Sequence, residues 1–286
     1  MASRCLPHST AIDRGASKFV SLAPVAAPGS ARGAAYCPFP QLMFPSSISL
    51  SPRPPSSTWH VGLHTWPSAV VLAEYLWQHR GVIQGRSVIE LGAGTGLCGI
   101  LCAKLGAQVT LTDAHSQTQV LSSLHQVAEL NGFSCRGVEA CSASGKESGE
   151  YRERVESGKL GEFEQASSLP DGGVSVEPLT WGDMSHQVFQ LPPADVIIGA
   201  DVLYDASAFD PLLSTVHLLL GLKRGSVFIT AYQARSTHAS LHLLMQSWGL
   251  TCIHMVSADE FMPSNKLATL GGSEIYVAVI ATVADS

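Results

Sequence analysis

Apolar positions follow two alternating rhythms from Trp59 onward. Val70, Val71, Leu72, Tyr75 and Leu76 recur at helical spacing behind Pro67, which stands where a first helical turn begins, and Gly81 and Gly85 close that helix. Ser87-Val88-Ile89-Glu90-Leu91 reads as a buried strand, followed by a glycine-rich turn over residues 92–96 and a helix from about Leu97 to Leu105. Gln108 to Thr112 is a second strand with Asp113 at its C-terminal end, and a helix from about Ser116 to Leu130 closes at Asn131-Gly132. Strand alternating with helix predicts a parallel sheet with right-handed crossovers.

The rhythm breaks over about residues 134–173, which are dense in Gly, Ser and Glu and carry a charged run from Lys146 to Glu164. A stretch with no apolar face reads as a polar, disordered insertion in the surface of a domain. The pattern resumes with strands at Val174 to Leu179, Ala194 to Ala200 and Gly225 to Ala231, and helices from about Ser207 to Leu220 and Arg235 to Trp248. Thr251 to Val256 and Ile275 to Val283 are the last strands. No helical pattern separates them, so they are expected to pair antiparallel at the sheet edge. Seven strands in this order predict an α/β fold with a doubly wound, Rossmann-like sheet.

Composition divides the chain in two. Residues 1–57 are rich in Ser, Ala and Pro and hold a single acidic residue, Asp13. They read as a disordered leader, with an organelle transit segment as the alternative. Residues 58–286 read as one domain. The seven cysteines form no C-x-x-C pair, which favours a reduced, intracellular protein without a zinc site. A formal charge of −6 argues against a nucleic-acid binder working through a broad basic face. No apolar run is long enough to span a bilayer.

Three motifs carry chemistry. In Glu90-Leu91-Gly92-Ala93-Gly94-Thr95-Gly96, the glycines let backbone approach a ligand and lead into the free N–H groups of a helix start. A carboxylate at Glu90 would repel a pyrophosphate yet suits the ammonium of a methionyl group. Asp113, ending the next strand, is placed to accept both hydroxyls of a ribose, the alternative being a helix cap. Asp201 and Tyr204 follow the strand that ends at Ala200, where ligands bind in open α/β sheets, and an acid with a phenol can hold an amine. Alone, this third pair would read as a cap and a packed tyrosine.

Together with Trp66 and Leu179-Thr180-Trp181-Gly182, these motifs resemble the family-16 seven-β-strand methyltransferases, over about residues 59–283 outside the insertion. Residues 66–77, LTWGDMS, LPPADVI and TAYQARS are the more specific stretches, and they resemble a histone-arginine methyltransferase of that family. The resemblance implies S-adenosyl-L-methionine as cofactor and a protein substrate, with a histone tail as one such partner. It implies that Trp66 and Trp181 flank the cofactor, Trp181 near the adenine. Gly92, Ala93 and Gly94 would pass beneath it, Asp113 would take its ribose, and Ala200 would lie beside it. Asp201 and Tyr204 would shape the acceptor pocket, with Asp259 and Glu260 as weaker acidic candidates. The turn is more glycine-rich than in the arginine-directed pattern, and Leu203 and Tyr204 keep the general family forms. Arginine and lysine therefore both stay open as acceptors, and a non-catalytic cofactor-binding scaffold is the further alternative. A nuclear or cytoplasmic monomer is expected.

Overall fold

The computed structural model describes residues 62–136, 173–184, 186–234, 241–270 and 274–285. The leader at 1–57 and most of the insertion lie outside the described residues. The helices are α1 (Pro67–Gln78), α2 (Leu97–Lys104), α3 (Thr118–Leu130), α4 (His186–Gln190), α5 (Phe209–Gly221), α6 (Leu241–Ser247), α7 (Ala258–Phe261) and α8 (Ser264–Thr269). The strands are β1 (Ser87–Glu90), β2 (Gln108–Asp113), β3 (Cys135–Arg136), β4 (Val174–Pro178), β5 (Val196–Ala200), β6 (Val227–Gln233), β7 (Leu250–Ser257) and β8 (Ile275–Thr282).

They form one sheet in the order β3-β4-β2-β1-β5-β6-β8-β7. The seven expected strands are all present. β3 adds a two-residue pairing at one edge. The last two strands pair antiparallel as expected, with β8 inserted between β6 and β7 and running against both. One difference lies between them: α7 and α8 stand where no helix was expected. Four and six residues are too few to display a helical period. A capping box at Ser257 and Glu260 starts α7 instead.

Both faces of the sheet are covered, which is why the central strands are apolar throughout. On β5, Val196 and Ile198 join the core under α1, α2 and α3, while Ile197 joins the opposite core against Phe209, Leu213 and Val216 of α5. Asp195 pins the strand starts. It accepts from Ser87 N–H at 3.0 Å and Oγ at 2.8 Å and pairs with Lys223 at 2.8 Å. Burial opposes its charge, but Lys223 and Ser87 prevail and hold its carboxyl at about 2. Chain order reverses between β1 and β5, so their C-terminal ends open a crevice at the topological switch point.

Candidate functional site

The turn after β1 is built from left-handed glycines: φ is +58° at Gly92, +52° at Gly94 and +74° at Gly96. Space also demands glycine. A Cβ on Gly92 would lie 2.9 Å from Trp181 Cζ2 and 3.2 Å from Val202 Cγ1, and one on Gly94 would lie 3.2 Å from the Gly62 carbonyl oxygen. Two hydrogen bonds tie the turn and the end of β1 to β2: Ala93 N–H donates to Thr112 O at 2.8 Å, and the Thr112 side-chain Oγ1 donates to Glu90 O at 2.7 Å.

Asp113 stands against this turn. Its Oδ2 accepts the Gly94 N–H at 2.9 Å and its Oδ1 accepts the Ala114 N–H at 2.8 Å. Burial raises its pKa and those two N–H groups oppose the rise. A carboxylate has about four acceptor sites, so this one retains capacity for a vicinal diol.

Glu90 points elsewhere than the sequence suggests. It is only 2% exposed, and its Oε2 accepts the Gly99 N–H at 2.8 Å, in the first turn of α2. Burial pushes its carboxyl up to about 8. A Cβ on Gly99 would lie 2.5 Å from the same oxygen, so Gly99 lets the helix sit on this side chain. Glu90 therefore supports the turn and the helix start from beneath, where a direct contact with a methionyl ammonium was expected.

The two tryptophans are held by their neighbours. Trp181 leans on Gly92, and the next residue anchors its loop: Gly182, at φ +79°, donates to Thr215 Oγ1 at 2.9 Å and packs against Pro211 of α5. Thr180 Oγ1 accepts the His115 N–H at 3.3 Å, tying the same loop to the segment after β2. Trp66 is the N-cap of α1 and meets the His64 ring edge-on at 4.9 Å. Beside it, Thr65 Oγ1 bonds Thr95 Oγ1 at 3.3 Å, which attaches this end of α1 to the glycine turn. Sequence reasoning missed Thr65 and Thr95, because their role depends on a contact spanning thirty residues.

At the end of β5, Ala200 pairs with Ala231 of β6, and Asp201 donates its N–H to the Ala231 carbonyl at 2.8 Å. Asp201 is the one non-glycine with positive φ among the described residues, at 54°. Asp tolerates that backbone better than most residues because its short polar side chain bonds locally. Its side chain is 9% exposed, whereas Tyr204 is 50% exposed. Burial raises the Tyr204 pKa, and the charges of Asp205, Asp113 and Asp201 raise it further, so this phenol shares one electrostatic neighbourhood with both candidate carboxylates. Asp259 and Glu260 are engaged elsewhere: Ser257 Oγ bonds Asp259, and Ser257 N–H donates to Glu260 Oε1 at 3.1 Å. Among the described residues no cluster of three or more His, Cys, Asp or Glu could hold a metal ion.

A glycine cradle, the start of α2 behind it and a carboxylate at the neighbouring strand end fit a nucleoside carrying a small charged tail. The family-16 methyltransferase model, described as lysine methyltransferase, matches residues 54–134 and 162–246. The chain belongs to this family. As a methyltransferase of this family it uses S-adenosyl-L-methionine as methyl donor. Histone-arginine methyltransferase METTL23 of Rattus norvegicus is 34% identical over 194 residues, 68% of this chain and 69% of the relative. The protein of that name in Homo sapiens is 31% identical over 68% of this chain and 82% of its own length. Protein N-lysine methyltransferase METTL21A of Mus musculus is 32% identical over 62% of this chain and 69% of its own. Among the described residues of this methyltransferase, no helix is long and apolar enough to cross a membrane.

Proposed function

We propose that the chain transfers a methyl group from S-adenosyl-L-methionine to an arginine side chain of a histone-like protein. The observation that carries this reading is Asp201, held in left-handed backbone at the C-terminal end of β5 three residues before Tyr204. The cofactor supplies an electrophilic methyl group on a sulfonium. What the protein must add is alignment and charge compensation. In this reading Gly92, Ala93 and Gly94 run beneath the cofactor, Asp113 accepts from its ribose, Trp66 and Trp181 flank it, and Ala200 leaves room beside it. Glu90 fixes the turn and the α2 start from beneath. Asp201 accepts N–H groups of the guanidinium, which is charged at all working pH values, orients it, and takes the proton it loses as the N–CH3 bond forms and the S–CH3 bond breaks. Tyr204 offers its ring and hydroxyl at the pocket mouth.

Support for arginine comes from the METTL23 relatives, 34% and 31% identical over 68% of the chain. In this reading the protein acts in the nucleus, the cytoplasm or both. A second reading, transfer to lysine, is favoured by the description of the matching family model and by the METTL21A relative. A lysine amine must lose a proton before it attacks, and Asp201 or a water beside it would take that proton. The test is labelled-methyl transfer to a histone-tail peptide and to versions with arginine and lysine exchanged. Incorporation that follows arginine supports the first reading, and incorporation that follows lysine transfers the assignment to the second. Cofactor binding without transfer to any peptide or to cell extract would leave a scaffold.

A further inference from the structure

Two tyrosines stand on the strands next to the candidate acceptor site. Ala200, which ends β5, pairs with Ala231, and Asp201 donates its N–H to the Ala231 carbonyl at 2.8 Å. The next residue of β6 is Tyr232, which pairs with Tyr276 of β8. Their rings stand side by side, with centroids 6.2 Å apart and planes inclined by 31°. The Tyr232 hydroxyl donates to Met255 Sδ of β7 at 3.5 Å. Aromatic and sulfur groups thus continue from the end of β5 across β6, β8 and β7.

Register fixes the face on which they lie. Tyr232 is partly buried against the core that holds Val202, Leu203 and α5, and Trp181 packs against the same core. Tyr276 opposes Tyr232, and Met255 opposes Ala278, so alternation puts both on that face. This end of the face is open: Met255 is 56% exposed, and both tyrosines keep part of their surface in solvent. Glu274 adds a charge. Its carbonyl accepts the Ala234 N–H at 2.9 Å, which extends the β6–β8 ladder past Ile275. Alternation then puts the exposed Glu274 on the face of Tyr276. Aromatic faces attract a cation within about 6 Å of the ring centroid, and a carboxylate accepts its N–H groups. A purely apolar ligand would instead cost Glu274 its hydration with nothing in exchange.

We infer that Tyr232, Tyr276 and Glu274 hold a second cationic side chain of the protein substrate, two or three residues from the one that Asp201 orients. The spacing follows from the sheet. Neighbouring strands lie about 5 Å apart, so the tyrosines stand roughly 5–10 Å from the end of β5, and an extended peptide covers that in two or three residues of about 3.3 Å each. The inference rests on the reading of Asp201 as the carboxylate that receives the acceptor. It assigns the enzyme to substrates with paired basic residues, whether the methylated one is arginine or lysine.

The test titrates the full chain, saturated with S-adenosyl-L-homocysteine, with capped alanine-based pentapeptides, followed by NMR. One peptide carries a single target cation and the other a second arginine two residues later, each made with arginine and with lysine at the target position. Work at about 0.15 M ionic strength screens charges more than about 8 Å away, so the overall negative charge of the chain does not set the result. The wild type should bind the two-cation peptide roughly three- to tenfold tighter. Glu274→Gln, at an exposed position, and Tyr276→Leu should each bring that ratio close to one, and Tyr276→Phe should keep it because the ring remains. A ratio near one in the wild type, or a ratio that survives Glu274→Gln or a folded Tyr276→Leu, would overturn the proposal. Methyl-transfer assays on the same peptides separate it from the proposed activity. A preference in binding without transfer keeps the second-cation site and removes the activity, whereas transfer with no preference does the reverse.

Discussion

The indole of Trp181 fills the space that a side chain on Gly92 would need, its Cζ2 lying 2.9 Å from that Cβ position. Gly92 also has φ +58°, so two independent costs meet at one residue. Gly92→Ala should destabilise the fold by about 1–3 kcal/mol from the backbone alone, and further by displacing the indole. Adding Trp181→Ala should recover the steric part and leave the backbone part. Denaturant unfolding of the two single variants and the double variant measures this. Strict additivity would show that the contact carries no energy.

Asp113 ties the turn to β2 through Gly94 and is the proposed ribose acceptor. Asp113→Ala should weaken S-adenosyl-L-methionine binding by roughly ten- to hundredfold, the range for losing charge-assisted hydrogen bonds, with the fold intact. Calorimetry that returned wild-type affinity would remove Asp113 from the cofactor site.

Asp201→Asn keeps the size and the tolerance for left-handed backbone while removing the charge. Methyl transfer should fall at least tenfold with little change in cofactor affinity, because the lost interaction is with the acceptor. Tyr204→Phe should be milder, since the ring remains. Single-turnover rates beside binding titrations separate the possibilities. Equal losses in both would move Asp201 to the cofactor, and an unchanged rate would exclude it from the chemistry.

Glu90 gives a pH signature. Burial raises its carboxyl to about 8 from an ordinary value of 4.5, so between those values the folded chain holds a proton that the unfolded chain has released. Stability from this group therefore falls as pH rises through that window and levels off above 8. Glu90→Gln keeps an acceptor for the Gly99 N–H and cannot ionise. Its melting temperature relative to wild type should rise between pH 5 and pH 8.5. A difference that stays flat with pH would mean that the carboxyl titrates normally.

The sequence by itself determined the sheet, the glycine turn and the carboxylates at the strand ends that mark the candidate site. Long apolar strands such as Val196–Ala200 and an amphipathic α3 announce themselves by period, because burial on one or both faces imposes that period on the residues. The glycine turn is legible because left-handed backbone admits few other residues. Asp113 and Asp201 stand out as candidates because ligands of an open parallel sheet bind beyond the strand ends. Tertiary structure alone decided where side chains point and which distant segments meet. Glu90 reads as facing a ligand, yet the close seating of α2 on Gly99 turns it into a buried support. Thr65 meets Thr95, Trp181 meets Gly92, and α7 and α8 form within a connection too short to show a period. Local pattern records which face of an element is buried, and only packing fixes what that face is buried against.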